Sequence, residues 1–289
     1  MKPAGWIALM LLVLPTAARA QRLLELPVRT GAMPEALVTG ASAAFWNPAS
    51  AASLSGEGEV IVLDVNGPDA TGLAGFAGAG ALRLDPRTVL ALGYRHVAIE
   101  EMERTSTSPM PDPGGLDVVE DVFGLVAARS LNDALAVGIG AEYTRPSADL
   151  DTDAKLVIGV GARLRLRHRW GPTLAAAVQA EEDEPGWRVA AELAPERLRL
   201  GDWSAAFAYG LSGGPRLRGP EHRIAARVAW RERVTLSAGF AAAADDGGTA
   251  LTPLGGILVN INRYAIGVVR EHLAHGFGAV HSLRFGVGF

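Results

Sequence analysis

Ala279-Val280-His281-Ser282-Leu283-Arg284-Phe285-Gly286-Val287-Gly288-Phe289 alternates between two faces and stops on an aromatic. His281, Leu283, Phe285, Val287 and Phe289 fall on one side; Val280, Ser282, Arg284, Gly286 and Gly288 fall on the other, as the two-residue period of a strand requires. A terminal Phe beside a free carboxylate gains nothing unless its strand is paired and its apolar face covered. A greasy exterior with a small or polar interior suits a closed barrel in lipid.

The same alternation recurs upstream. Between 155 and 168, Leu156, Ile158, Val160, Ala162, Leu164 and Leu166 oppose Lys155, Gly159, Gly161, Arg163, Arg165 and Arg167. Each arginine facing lipid near the midplane would cost about 2 to 4 kcal/mol, so the Leu/Ile/Val side is the outside. Leu135, Val137, Ile139 and Tyr143 oppose Ala136, Gly138, Gly140 and Glu142 in the same manner, and Ile224, Val228 and Trp230 oppose Arg223, Arg227 and Arg231. We place strands near 57–65, 71–84, 87–98, 117–129, 133–144, 154–168, 172–181, 186–194, 203–211, 222–231, 233–243, 256–262, 263–272 and 278–289. The expected fold is all-β, a transmembrane antiparallel up-and-down barrel of about fourteen strands, an even count within the bacterial range.

The connections supply a parity test, because such barrels have short periplasmic turns and longer external loops. Tight links at 130–133, 231–233 and 262–263 mostly alternate with longer ones at 99–116, 145–153, 212–221 and 244–255, which puts both barrel ends of the chain on the periplasmic side. The 67–70 and 195–202 links fit this parity least well. Tyr94, Tyr143, Trp170, Trp230 and Tyr264 fall at the ends of apolar faces, as an interfacial girdle predicts.

Ahead of the barrel, Lys2, the apolar run Trp6 to Leu14 and Ala18-Arg19-Ala20 have the form of a signal peptide over 1–20, cleaved after Ala20. Its removal leaves 25 basic and 31 acidic residues, a net of −6, which argues against nucleic acid as a partner. With no cysteine in the chain, neither disulfides nor thiolate metal sites hold the exported protein together. The composition, 49% hydrophobic with 35 glycines and no second long apolar run, fits neither a helical membrane protein nor a disordered one.

Residues 21–56 differ from the barrel at 57–289: Pro27, Pro34 and Pro48 interrupt Ala-rich stretches. Within them, Ala41-Ser42-Ala43-Ala44-Phe45-Trp46-Asn47-Pro48-Ala49-Ser50 joins two large anchors to an Asn-Pro turn initiator. Two readings stand level on residue physics: a hatch folded into the lumen, or a helix lying at the periplasmic end.

The A-x-x-A-x-x-x-NPA pattern before a barrel that ends in Phe resembles the FadL-like outer-membrane transporters of long-chain fatty acids and other hydrophobic molecules. Phe-Trp-Asn-Pro-Ala is similar also to the related PorV/PorQ-type proteins, some of which are secretion-system components. The resemblance implies that Phe45, Trp46, Asn47, Pro48 and Ala49 belong to a lumen-blocking hatch. It implies also that Phe289 is the signal read by the barrel-assembly machinery, and that the location is the bacterial outer membrane, reached by the Sec route and in contact with lipid and lipopolysaccharide. The chain is shorter than those transporters, and its external loops look too small for an extended acyl-binding groove.

Interior arginines are the other candidates. Arg163, Arg165, Arg167, Arg188, Arg223, Arg227, Arg231 and Arg284 either line a path for an anionic headgroup or pair with Glu142, Glu192 and Glu271 to fill the lumen; the second reading is preferred, since enclosed charges are usually paired. Acidic runs at Asp149, Asp151 and Asp153, at Glu181, Glu182, Asp183 and Glu184, and at Asp245 and Asp246 read as solvated outer loops. Asp-x-Asp-x-Asp opens like a calcium loop, but Ala154 stands at the turn-glycine position and no closing Glu follows. His272 and His275 have no third ligand nearby, and Gly138-x-Gly140 and Gly159-x-Gly161 lie in strands with no helix following, so neither a metal nor a nucleotide is expected. No Ser/His/Asp grouping stands out, so no enzyme and no cofactor is implied. The leading expectation is passive passage of a hydrophobic or amphipathic small molecule. The alternatives are a scaffold for a secretion-system protein and a purely structural envelope protein.

Overall fold

The structure is a computed structural model describing residues 32–102, 116–148, 154–168, 170–180, 185–195, 198, 200–214, 219–245, 248–272 and 278–289. Residues 1–31, which include the expected signal segment, lie outside these. Fourteen strands follow in order: β1 (Gly58–Asn66), β2 (Leu73–Asp85), β3 (Thr88–Met102), β4 (Leu116–Ser130), β5 (Leu135–Ala148), β6 (Lys155–Arg165), β7 (Thr173–Ala180), β8 (Gly186–Leu193), β9 (Trp203–Gly213), β10 (Glu221–Trp230), β11 (Val234–Asp245), β12 (Gly248–Ile261), β13 (Tyr264–His272) and β14 (Ala279–Gly288). Each pairs antiparallel with its chain neighbours, and β14 returns to β1, so the sheet is a closed barrel without an edge. At this seam the Phe289 carbonyl accepts from the Glu57 and Gly58 amides at 2.8 and 2.9 Å, and the Phe289 amide donates to Gly58 at 2.9 Å.

The alternation predicted for the wall holds. Leu156, Ile158 and Val160 are exposed on the outside, and β7 alternates buried and exposed along its whole length. Two lateral rows mark a boundary on this outer face. Val62, Gly78, Tyr94, Phe123 and Tyr143 lie directly opposite one another across β1 to β5; one step along each strand, Asp64, Phe76, His96, Asp121 and Arg145 form a parallel row. Rings thus give way to ionisable groups within two residues, the change expected where hydrocarbon meets headgroups. Tyr94 packs on Phe123 with ring centroids 4.6 Å apart and donates to Asp121 at 2.6 Å, while Asp121 also meets His96 Nδ1 at 2.9 Å.

β12 departs most from the expected elements. It begins at Gly248, so the span 244–255, expected to be an outer loop, is instead a hairpin with Asp245 opposite Gly248 and Phe240 opposite Pro253. Pro253 and the flanking Asp/Gly run argue against a strand, yet pairing of β12 with β13 starts only at Leu254, so the missing amide of Pro253 falls where no second neighbour needs it. Pro146 is tolerated for the same reason: it pairs with Glu120 of β4, above the last β5–β6 pair, Thr144 with Lys155.

β6 stops at Arg165, three residues before the predicted end. The tight turns are built as their residues require: Arg231 and Glu232 have φ of 50° and 57° between β10 and β11, and Asn262 has 54° between β12 and β13, the left-handed backbone conformation by which close hairpin turns match the right-handed twist of their strands.

The interior is not uniformly polar to small, as expected from the sequence. On β1 to β4 the lumen wall is apolar, with Ile61, Leu63, Val65, Val89, Val97 and Val126 at 0 to 2% exposure. Such a wall is dry because something covers it. Much of that cover is the N-terminal segment.

Candidate functional site

From Ala32 to Leu54 the chain runs inside the barrel as three short 3-10 turns, Glu35–Leu37, Gly40–Phe45 and Pro48–Ser53. Small residues (Gly40, Ala41, Ser42, Ala43, Ala44) keep the middle turn thin, and Phe45 and Trp46 then plant two rings, 6 and 2% exposed, against the apolar wall with Ile61, Leu63 and Val126. Burying two such rings is worth roughly 1.5 to 3 kcal/mol each. Asn47 starts the third turn. Its Oδ1 accepts the Ala49 amide at 3.1 Å, and Pro48, which has no amide to satisfy, takes the first helical position. The other end of the side chain, Nδ2, donates to the Ala36 carbonyl at 2.9 Å and reaches the Ala162 carbonyl of β6 at 3.5 Å, and Ser50 Oγ donates to the same Ala36 oxygen at 3.0 Å. Asn47 is fully buried, so it joins two turns of the segment and touches the wall.

The wall makes room for this packing with glycines. A Cβ on Gly93 would fall 2.6 Å from the Phe45 ring, one on Gly138 would fall 2.5 Å from the Ala49 nitrogen, and one on Gly161 would collide with Asn47 Oδ1. Sequence reading treats these glycines only as space in a crowded lumen, since nothing local says what fills it.

Charged ties hold the segment from several sides. Glu59 of β1 accepts the Ala41 amide at 2.8 Å and pairs with Arg284 of β14 at 2.9 Å. Arg223, 2% exposed, sits 3.2 Å from Glu35, 2.9 Å from Glu221 and 3.9 Å from Glu271. Arg188 donates to Gln179 at 2.5 Å, and Gln179 donates to Glu142 at 2.9 Å; the same guanidinium lies 5.1 Å from the Trp46 ring centroid. Arg83 donates to the Leu54 and Gly56 carbonyls where the segment leaves for β1. Arg223 and Arg284 thus meet carboxylates, Arg188 meets the Gln179 amide, and Arg227 pairs with Glu192 at 2.9 Å. Glu35, Glu59 and the buried Arg95–Glu120 pair at 2.5 Å are partners that sequence reading passes over. Parity alone would put Arg95 inside, next to Gly93 and Val97.

Two of the arginines expected in the lumen are not on its wall. Arg167 lies beyond the end of β6 and pairs with Asp133 at 2.6 Å, both side chains 81% exposed, and Arg231 lies in the β10–β11 turn, 2.7 Å from Asp202. A strand-like parity continued past the last paired residue misplaces both at the rim. Asp149, Asp151, Asp153, Glu181, Glu182, Asp183, Glu184, Asp246 and His275 lie outside the described residues, while Asp245 ends β11 and His272 ends β13.

Three cavities, of about 940, 620 and 360 Å³, open between the segment and the barrel end that holds Gly58 and Gly288; Arg227 borders all three. On the far side of the segment the lumen closes on an apolar cluster of Val65, Leu73, Val97 and Val280, with Ile99 against it. Strand pairing is continuous at the level of the segment, and the register shifts lie at strand ends, at Arg83/Asp85 of β2 and Ile99/Met102 of β3.

A closed fourteen-stranded antiparallel barrel, apolar outside and with its own N-terminal segment packed across the lumen, is the class of molecule these features define. Solved structures of that class resemble it. The toluene transporter TbuX of Ralstonia pickettii superposes with a TM-score of 0.59 at 12% identity, over 86% of this chain and 94% of the transporter. A FadL homologue of Pseudomonas aeruginosa gives 0.55 at 12% identity, over 95 and 99%, and the monoaromatic hydrocarbon channel CymD gives 0.58 at 10%, over 86 and 93%. At these identities the likeness is one of fold. No protein-family model matches the sequence, and no curated protein matches it.

Proposed function

We propose that the protein is a passive channel of the bacterial outer membrane for hydrophobic or amphipathic small molecules, with Ala32 to Leu54 as its hatch. The observation that carries this reading is the apolar lumen wall on β1 to β4, which runs past the hatch into the cluster of Val65, Leu73, Val97 and Val280. Phe45 and Trp46 account for the apolar wall at hatch level but not for its continuation into the second cluster, beside which an apolar solute crosses at lower free-energy cost than a hydrophilic one. The names of the toluene and monoaromatic hydrocarbon channels with the same fold support the same direction. Because the wall is continuous at hatch level, passage runs along the lumen and requires the hatch to shift. Diffusion follows the solute gradient and uses no cofactor. Export by the Sec route after removal of residues 1–20, and reading of Phe289 by the assembly machinery, complete the proposal.

Uptake of labelled toluene and of a labelled medium-chain fatty acid by cells with and without the protein tests it; equal uptake of both refutes it. The dense ties on the hatch favour a second reading, a non-enzymatic scaffold of the PorV/PorQ type whose lumen stays shut. Unchanged uptake together with a stably co-purifying envelope protein would select that reading.

A further inference from the structure

The cavity of about 940 Å³ has a property that passage of neutral apolar molecules does not use. Arg188, Arg223 and Arg284 are engaged by side chains across the lumen, but the Arg163 side chain donates only to the Leu37 carbonyl, at 3.2 Å, and the Arg165 side chain has no hydrogen bond or ion pair among the described residues. Both point inward from β6, two residues apart, and Arg227 faces the same space from β10. Their one carboxylate on the inner wall is Glu192 of β8, held by Arg227. Asp133 at the mouth is occupied by Arg167, and Glu232 sits on the exposed rim turn. The described lining carries four arginines, Arg163, Arg165, Arg167 and Arg227, against Asp133, Glu192 and Glu232; Arg163 and Arg165 are the two that no carboxylate holds in an ion pair.

We propose that this cavity binds a doubly charged oxyanion, a phosphate monoester on a small organic body. Two negative charges match the two guanidiniums that no carboxylate holds. The planar guanidinium forks match phosphate oxygens in bidentate geometry, and Thr173, Ser204 and Asn260 line the same space as hydrogen-bonding groups for the remaining oxygens. A volume of about 940 Å³ is far more than a bare ion fills and falls within the range of organic-ligand sites. Ala206, Ala229 and Leu166 give the organic body a surface to lie on. The site goes beyond the channel reading, since it recognises charge at one end of the lumen whether or not an apolar solute passes.

The test is calorimetric titration of the detergent-solubilised full chain with phenyl phosphate, benzoate, benzyl alcohol and inorganic phosphate. Phenyl phosphate is expected to bind at least tenfold more tightly than benzoate and inorganic phosphate, with no detectable binding of benzyl alcohol. Arg163→Gln combined with Arg165→Gln is expected to weaken phenyl phosphate binding at least tenfold. Ser204→Glu, which adds a carboxylate to the cavity without removing an arginine, is expected to do the same, and heat-modifiable mobility on gels identifies folded barrels. Equal affinity for benzoate overturns the double charge, and equal affinity for inorganic phosphate overturns the organic body. Undiminished binding in a folded variant overturns the site. Toluene uptake, measured on the same variants, reports the channel reading separately.

Discussion

Replacing Asn47 by Ala should unseat the N-terminal segment without unfolding the barrel. The substitution removes the acceptor for the Ala49 amide and the donor to Ala36, in a side chain with no exposure to solvent. Loss of a helix cap costs about 1 kcal/mol, and a buried amide left without a partner adds about 1 to 2 kcal/mol. The Ala36 carbonyl keeps its second donor, Ser50 Oγ, so that end adds little in the single variant. The sum, about 2 to 3 kcal/mol, corresponds to a roughly 30- to 150-fold rise in the population of the undocked segment. Amide hydrogen exchange over 40–54 is the assay: protection there should fall by about that factor while β9 to β14 stay unchanged. Ser50→Ala alone should cost about 1 kcal/mol. Asn47→Ala with Ser50→Ala should exceed the sum of the two, because only the double variant strips Ala36 of both donors. Unchanged exchange in Asn47→Ala, or an equal loss across the strands, would refute the idea that this residue holds the segment as a separable unit.

Gly138→Ala places a Cβ 2.5 Å from the Ala49 nitrogen, an atom of fixed backbone, so it should displace the third turn and raise conductance in planar bilayers; an unaltered conductance counts against the segment as the barrier. Arg223→Met leaves Glu35, Glu221 and Glu271 without their shared cation, and a broken buried pair of this kind costs about 3 to 5 kcal/mol, read by urea unfolding in detergent micelles. Leu92→Arg puts a charge on the outer face, where Leu92 is 62% exposed, and should cost about 2 to 4 kcal/mol in bilayers against far less in aqueous detergent rims; a variant as stable as the parent in lipid would undo the inside-outside assignment. Deleting Phe289 should lower the yield of heat-modifiable folded protein in cells, and full yield would argue against its role in assembly.

How much of this was legible in the chain varies with the residues concerned. β6 announces its faces because Leu156, Ile158 and Val160 alternate with glycines and arginines, and one arginine on the wrong side would be prohibitive. β1 announces nothing, since Val60 and Val62 face out while Ile61 and Leu63 face in, and the reason for apolar residues inward lies in Phe45 and Trp46 of a distant turn. The start of β12 is hidden by Pro253, whose acceptability depends on where β13 happens to end. Arginine pairing is the least readable layer. Arg227 finds Glu192 two strands away and Arg284 finds Glu59 across the barrel seam, so partners follow from closure and stagger and not from any local spacing.

That seam also sets an order of events. Glu59 and Arg284 are separated by 225 positions, and the same Glu59 carboxylate holds the Ala41 amide. Joining β1 to β14 is therefore the longest loop the chain must close, and loops of that length are completed after local hairpins have formed. A sealed cylinder offers the bulky rings of the N-terminal segment no side entrance, so once the two edges have met the rings reach the apolar wall only through the barrel's end. Occupant and closure meet at one carboxylate, which is fully engaged only when both are in place.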